Sequence, residues 1–168
     1  MKLFRLRGIC WRIHAPRWAH LPLSGDGAAK TGGRFNQPGM PALYLALDHG
    51  TAIREYGQDL GWRPGTLCAY RVDVRVADLR DETTLAALGF DAPMVRCPWK
   101  QLAFQRRPRP VPSWKIAGSL IAQNVPGAIY PSAVDRAGSN LVLWRWNSSR
   151  DDRVEVLDPL GELPRDPS

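Results

Sequence analysis

Lys30-Thr31-Gly32-Gly33-Arg34-Phe35-Asn36, a Gln37-Pro38-Gly39 turn, Ala42-Leu43-Tyr44-Leu45-Ala46 and Thr51-Ala52-Ile53-Arg54-Glu55-Tyr56-Gly57-Gln58 follow one another between residues 30 and 58. The order is a glycine-flanked arginine, an apolar run and a short helical segment carrying one glutamate. Glycines let a backbone approach a ligand closely, and a guanidinium binds two phosphate oxygens at once. A glutamate on the next element suits a sugar hydroxyl or a developing cation. Together these features suggest a cradle for a dinucleotide.

Around this stretch the chain alternates strand and helix signals without a regular β-α-β rhythm. Leu3–Arg7 alternates apolar and basic residues and predicts a half-buried strand, while Cys10–Trp18 reads as irregular around Pro16. Leu21–Gly33, with four glycines and a proline, reads as a long loop, and Arg34–Asn36 as a short strand or strand-like segment. Ala42–Leu47 predicts a buried central strand. Asp48–Thr51 offers N-cap residues for a helix over Ala52–Asp59, with Thr51, Glu55 and Gln58 or Asp59 on one face. Further strands are expected at Thr66–Val76, Gly127–Tyr130, Leu141–Trp144 and Arg153–Leu157. Further helices are expected from Asp81 to Leu88, Pro98 to Arg106 and Ser113 to Asn124. The expected fold class is α+β, a single domain over residues 1–160 with a central mixed sheet flanked by short helices. Residues 161–168 are expected to form a flexible tail.

The 168 residues suffice for one domain with a real core. The formal net charge of +7, from 23 Lys+Arg against 16 Asp+Glu, favours an anionic partner: nucleic acid, a phosphorylated small molecule or an acidic protein surface. Cys10, Cys68 and Cys97 include no Cys-x-x-Cys pair, and His14, His20 and His49 lack metal-ligand spacing, so neither a disulfide framework nor a metal site is expected. The charged N-terminus does not read as a signal peptide, and no apolar run approaches the ~20 residues that span a bilayer. The expected compartment is the cytoplasm.

At these residues the chain resembles the RES domain family, toxins of bacterial toxin–antitoxin pairs named for an Arg, a Glu and a Ser in that chain order. The matches are Arg34 in Gly32-Gly33-Arg34-Phe35-Asn36, Glu55 in Thr51-Ala52-Ile53-Arg54-Glu55, and Ser132 in Ile129-Tyr130-Pro131-Ser132. Pro22-Leu23-Ser24-Gly25-x-Gly27-Ala28-Ala29 and Asn140-Leu141-Val142-Leu143 also look like family segments. The likeness runs from about Leu6 to Leu157. Phe35 departs from the tryptophan more usual there but keeps an aromatic ring.

The resemblance implies a fold similar to ADP-ribosyltransferases and an activity that degrades NAD, with NAD as substrate and no cofactor. It also implies a helix-turn-helix (Xre-type) antitoxin that blocks the site and represses the shared promoter, so that DNA is met only through the antitoxin. Breaking the nicotinamide–ribose bond moves positive charge onto the sugar. Such chemistry needs a carboxylate by the ribose, a holder for the pyrophosphate and an aromatic wall for the nicotinamide. Glu55 fits the first role, with a solvated helix-face glutamate as the alternative. Arg34 fits the second, with a surface salt bridge as the alternative. Ser132 fits an orienting role or a direct bond to substrate; no Ser-His-Asp set makes it a nucleophile.

Tyr44 and, more weakly, Tyr130 are candidate stacking partners for nicotinamide, each also readable as a core tyrosine. Ser24 and Lys30 are candidate phosphate contacts in the glycine-rich segment, which also reads as a lid. The seven tryptophans read as core or partner-binding surface. The acceptor stays open between water, inorganic phosphate and a protein side chain, the last making the protein an ADP-ribosyltransferase. A nucleic-acid-binding or RNA-cleaving toxin is a further reading of the charge, but no recognised nucleic-acid motif accompanies it.

Overall fold

The structure is a computed structural model describing residues 2–58, 61, 63–165; the expectations that touch Asp59 and residues 166–168 lie outside the described residues. Six strands carry the fold: β1 Phe4–His14, β2 Leu43–Ala46, β3 Thr66–Asp78, β4 Gly127–Pro131, β5 Ser139–Leu143 and β6 Asp152–Val156. They hydrogen-bond in the order β1-β2-β5-β4-β3-β6, and β1 also pairs with β3. The ladder β1-β2-β5-β4-β3 therefore closes on itself, and β6 pairs with β3 along residues 70–74, short of its Ala77–Asp78 pairing with β4. All pairings are antiparallel except β3–β4. A parallel pair needs a long crossover. Here it passes through the helices α3 Glu82–Ala87, α4 Ala92–Val95, α5 Trp99–Phe104 and α6 Pro112–Ala122. This is the expected α+β domain with a mixed central sheet.

Two buried clusters follow from the period-two alternation of the strands. Cys10, Leu43, Leu45, Tyr70, Val72, Val74, Ile129, Leu141, Leu143 and Val154 point inside the ring of strands. Phe35, Ala77, Leu85, Val95, Ile116, Leu120, Ala128 and Val142 form the second cluster, between the sheet and the crossover helices. Ile129 lies in the first cluster and its neighbours Ala128 and Tyr130 in the second, so one strand serves two cores.

Several local expectations change. The strand expected to stop at Arg7 continues to His14, because β1 pairs residue for residue with β3 from Phe4↔Val76 to His14↔Thr66. Pro16 then opens a 3-10 turn, Pro16–Trp18. The segment expected as one long loop holds a helix, α1 Asp26–Thr31. Ala28-Ala29-Lys30 are good helix formers, and the surrounding glycines punctuate that helix rather than dissolve it. Gly32 ends it with φ of 72°, a left-handed conformation that suits glycine. Residues 34–36 form a tight turn closed by an isolated Gly33↔Asn36 bridge, not a strand. The expected tail is tied down as far as Leu163: the Glu162 and Leu163 amides donate to Asp158 at 2.8 and 3.1 Å, and Leu163 packs on the ring cluster.

Candidate functional site

On the sheet face opposite Leu43, Leu45, Ile129 and Leu141 stand Tyr44, Ala46, Tyr130 and Asn140. The register Ala46↔Asn140↔Tyr130 sets these three side by side across β2, β5 and β4. They form the floor of a cavity of about 440 Å³. Gly27, Ala28 and Thr31 of α1, with Gly32 and Gly33 after it, make one wall, and Trp11 and Ile13 of β1 contribute to another. Arg34, Glu55 and Tyr56 also line it.

Glu55 sits on α2, His49–Gly57, whose N-cap is Asp48 as the sequence suggests; its carboxylate accepts from the Thr51 amide at 2.8 Å. Such a cap contributes ~1 kcal/mol. The helix holds the Glu55 carboxylate over the floor, where its two oxygens are treated differently. Oε1 accepts from Ser132 Oγ at 2.7 Å and from Asn140 Nδ2 at 2.5 Å. Among the described residues, Oε2 accepts only from the exposed Gln58 amide, at 3.1 Å. The Ser132 hydroxyl itself accepts from the Val134 and Asp135 amides at 3.2 and 3.1 Å, so its single proton is directed at Glu55. Oε1 is thus the anchored oxygen and Oε2 the available one. Ser132 is 4% exposed and positions Glu55 from behind rather than lining the cavity.

Arg34 is fixed through its backbone. Trp114 Nε1 donates to the Gly33 carbonyl at 2.8 Å, Ser113 Oγ donates to the Arg34 carbonyl, and Trp144 Nε1 donates to the Phe35 carbonyl at 2.8 Å. Three consecutive carbonyls are met by side chains of α6 and of the residue following β5. That explains the missing strand: the backbone acceptors are already used. The Arg34 guanidinium donates through one nitrogen to the Val95 and Cys97 carbonyls at 3.3 and 2.9 Å. Those bonds hold the side chain at the cavity wall.

Tyr44 lines the cavity, and its hydroxyl serves the same turn, accepting from the Phe35 amide at 3.0 Å and donating to Asn36 Oδ1 at 2.7 Å. Burial pushes its phenol far above the usual range. Asn36, only 1% exposed, donates to the Ala28 carbonyl at 2.9 Å and so ties the turn to α1. Gly33 has no alternative here, since a Cβ would lie 2.6 Å from both Asn36 Oδ1 and the Tyr44 hydroxyl. Tyr130 is buried against the Phe35 ring at 4.6 Å between centroids. Burial raises its phenol well above the ordinary value; Tyr44 and Glu55 add to this, and Arg34 and the Asn140 side chain oppose it.

Two of the sequence-predicted contacts stand elsewhere. Ser24 lines a separate hollow beside Trp146, and its hydroxyl accepts from the Asp26 amide at 3.1 Å. Lys30 lies 5.5 Å from the Trp18 ring centroid. Neither lines the central cavity.

Around Arg34 and Glu55 the cavity gathers side chains that the sequence did not single out, among them Arg12, Arg63 and Lys100. Arg12, Arg34, Arg63 and Lys100 line it against a single carboxylate, Glu55, among the described residues. Half-exposed aromatic rings of Trp11, Tyr56 and Trp99 also line it, with the Arg63 guanidinium 4.1 Å from the Tyr56 centroid. Such a space suits an elongated anion with flat parts. Asn140 was legible in principle, as a polar residue leading an otherwise apolar strand. Trp114 and Trp144 carried no comparable signal.

The RES domain family matches this sequence over residues 9–166, and the chain belongs to that family. Among solved structures, a chain from the crystal structure of the M. tuberculosis MbcT–MbcA toxin–antitoxin complex is similar in fold. It shares 20% sequence identity and a TM-score of 0.64, over 94% of this chain and 85% of that one. Comparison with curated proteins returns no match. Among the described residues, no helix is long and apolar enough to cross a membrane.

Proposed function

We propose that the cavity binds NAD and cleaves its nicotinamide–ribose bond, with water or inorganic phosphate as acceptor, and that the protein is the toxin of a toxin–antitoxin pair. The observation that carries this reading is the asymmetry of Glu55. One oxygen is held by Ser132 and Asn140, and the other is left for the ribose. As the bond breaks, its electron pair goes to the pyridinium nitrogen and positive charge develops on the ribose carbon. A fixed carboxylate oxygen beside that carbon stabilises the charge without reorganising. Arg34, held by two backbone carbonyls, provides a charge for the phosphates, and the aromatic rings of the cavity provide flat apolar surfaces. Attack on the ribose carbon by water yields ADP-ribose; attack by phosphate yields its phosphate ester.

Membership in the RES family supports the toxin assignment, as does likeness to a chain from a toxin–antitoxin complex. The partner in this reading is a cognate helix-turn-helix antitoxin that occludes the cavity, with DNA engaged through the antitoxin and the reaction taking place in the cytoplasm. Controlled expression without an antitoxin tests it. Growth arrest with a fall in cellular NAD is expected. Arrest with undiminished NAD and newly ADP-ribosylated proteins would favour a protein-modifying transferase. Cleaved RNA with intact NAD would refute both.

A further inference from the structure

Besides Ser132, the loop between β4 and β5 presents to α2 a side chain that no family motif marks. Asp135 Oδ2 lies 2.8 Å from Thr51 Oγ1 and accepts from the Arg54 guanidinium at 2.8 Å. Thr51 is fully buried, and its hydroxyl also stands 2.5 Å from the N-cap carboxylate of Asp48. One threonine hydroxyl thus meets both carboxylates, and Arg54 adds a positive charge on Asp135. The fit is close: a Cβ at Gly138 would lie 2.3 Å from Thr51 Oγ1 and 2.9 Å from Asp135. The same Asp135 donates its backbone amide to Ser132 Oγ, and Ser132 donates to Glu55. The loop therefore grips α2 twice, at its first turn through Asp135 and at its second through Ser132.

We propose that Asp135 is a positioning residue for Glu55: its carboxylate fixes the loop against the first turn of α2 and so sets the Ser132 hydroxyl at hydrogen-bonding distance from Glu55. This rests on the NAD-cleaving reading for its effect on catalysis, but the mechanical link stands independently of it. Ser132 is one residue past the end of β4, and the tight Val134 and Asp135 amide contacts that orient its hydroxyl belong to the same turn. Without the Asp135 carboxylate that turn keeps its covalent length but loses its attachment to the first turn of the helix carrying Glu55. Thr51 and Asp135 share one contact, so removing both should cost less than the sum of removing each.

The test uses the full chain as Asp135→Ala, Asp135→Asn, Thr51→Val and the double variant Asp135→Ala/Thr51→Val. Hydrogen exchange is followed by mass spectrometry on peptides covering residues 50–57 and 132–138, alongside steady-state NAD cleavage. Asp135→Ala is expected to speed exchange in those two peptides selectively. It should also lower kcat about tenfold or more while KM for NAD stays within about threefold, because an oriented carboxylate matters most in the transition state. Asp135→Asn, which still offers an acceptor oxygen, should recover most of both effects, and the double variant should cost less than the two single ones combined. Unchanged exchange in both peptides overturns the proposal whether or not NAD is cleaved. So does a kcat loss that Asp135→Asn fails to recover. Absence of NAD cleavage by the unmodified protein would instead overturn the substrate reading, leaving the exchange result to decide the positioning role.

Discussion

The Ser132 hydroxyl donates to Glu55 Oε1 at 2.7 Å across 77 positions of sequence, joining the start of the β4–β5 loop to the second turn of α2. Asn140 reaches the same oxygen from β5. The catalytic carboxylate in the proposed reaction is therefore held by two donors from one side of the sheet.

Removing either donor should affect orientation rather than substrate binding. Ser132→Ala and Asn140→Ala are each expected to lower kcat for NAD by roughly 10- to 100-fold, in the range typical of lost orienting or electrostatic contacts. Steady-state kinetics with a thermal melt as folding control checks this. A kcat within twofold of the unmodified protein in both variants would contradict it.

The turn carrying Arg34 should tolerate little at Gly33 and much at Gly27. Gly33→Ala puts a Cβ 2.6 Å from both Asn36 Oδ1 and the Tyr44 hydroxyl, whereas a Cβ at Gly27 meets nothing within 4 Å. Gly33→Ala is expected to destabilise by about 1–3 kcal/mol, in the range of overpacked sites. Gly27→Ala, inside α1, should stabilise by roughly 0.5–1 kcal/mol. Urea denaturation of both variants measures the contrast.

Trp114→Phe and Trp144→Phe each keep an aromatic ring but remove the donor to a half-buried carbonyl. Each is expected to cost about 1–3 kcal/mol, the penalty of stranding an acceptor. Activity should fall in both, because the carbonyls on either side of Arg34 are then free to move. Equal stability of either variant and the unmodified protein would count against this account of the turn.

How much of this was legible in the chain depended on the range of the signal. Asp48, Asp81 and the alternation of Thr66–Val76 acted locally, and the corresponding caps and strand form as expected. The pairing of β1 with β3 joins residues more than fifty positions apart, and nothing within Cys10–His14 announces it. The helix α1 was hidden because its glycines look like loop chemistry, although they stand mostly at its ends. Arg34 and Glu55 could be singled out from neighbouring glycines and helical spacing, and Ser132 by family likeness. Ser113, Trp114 and Trp144, which hold the turn carrying Arg34, act only across the fold.

Acid should weaken the fold through His14. It is buried, and its Nε2 lies 2.6 Å from the Tyr70 hydroxyl, which donates to the Pro22 carbonyl at 2.9 Å. Burial, with Arg12 adding, lowers its pKa from 6.5 to about 4. The unfolded chain then binds a proton that the folded one refuses. Stability from this group is full above pH 6.5, falls between 6.5 and about 4, and is level below that. The total is on the order of 3 kcal/mol. Denaturation curves of the protein and of His14→Gln across that range should converge as the substitution removes the slope; identical slopes would argue against it.

The central claim is chemical, and product analysis of purified protein incubated with NAD, with and without phosphate, tests it most directly. Free nicotinamide should appear together with ADP-ribose or its phosphate ester, and Glu55→Gln should abolish its release. NAD left intact under every condition, or nicotinamide released equally by Glu55→Gln, would contradict it.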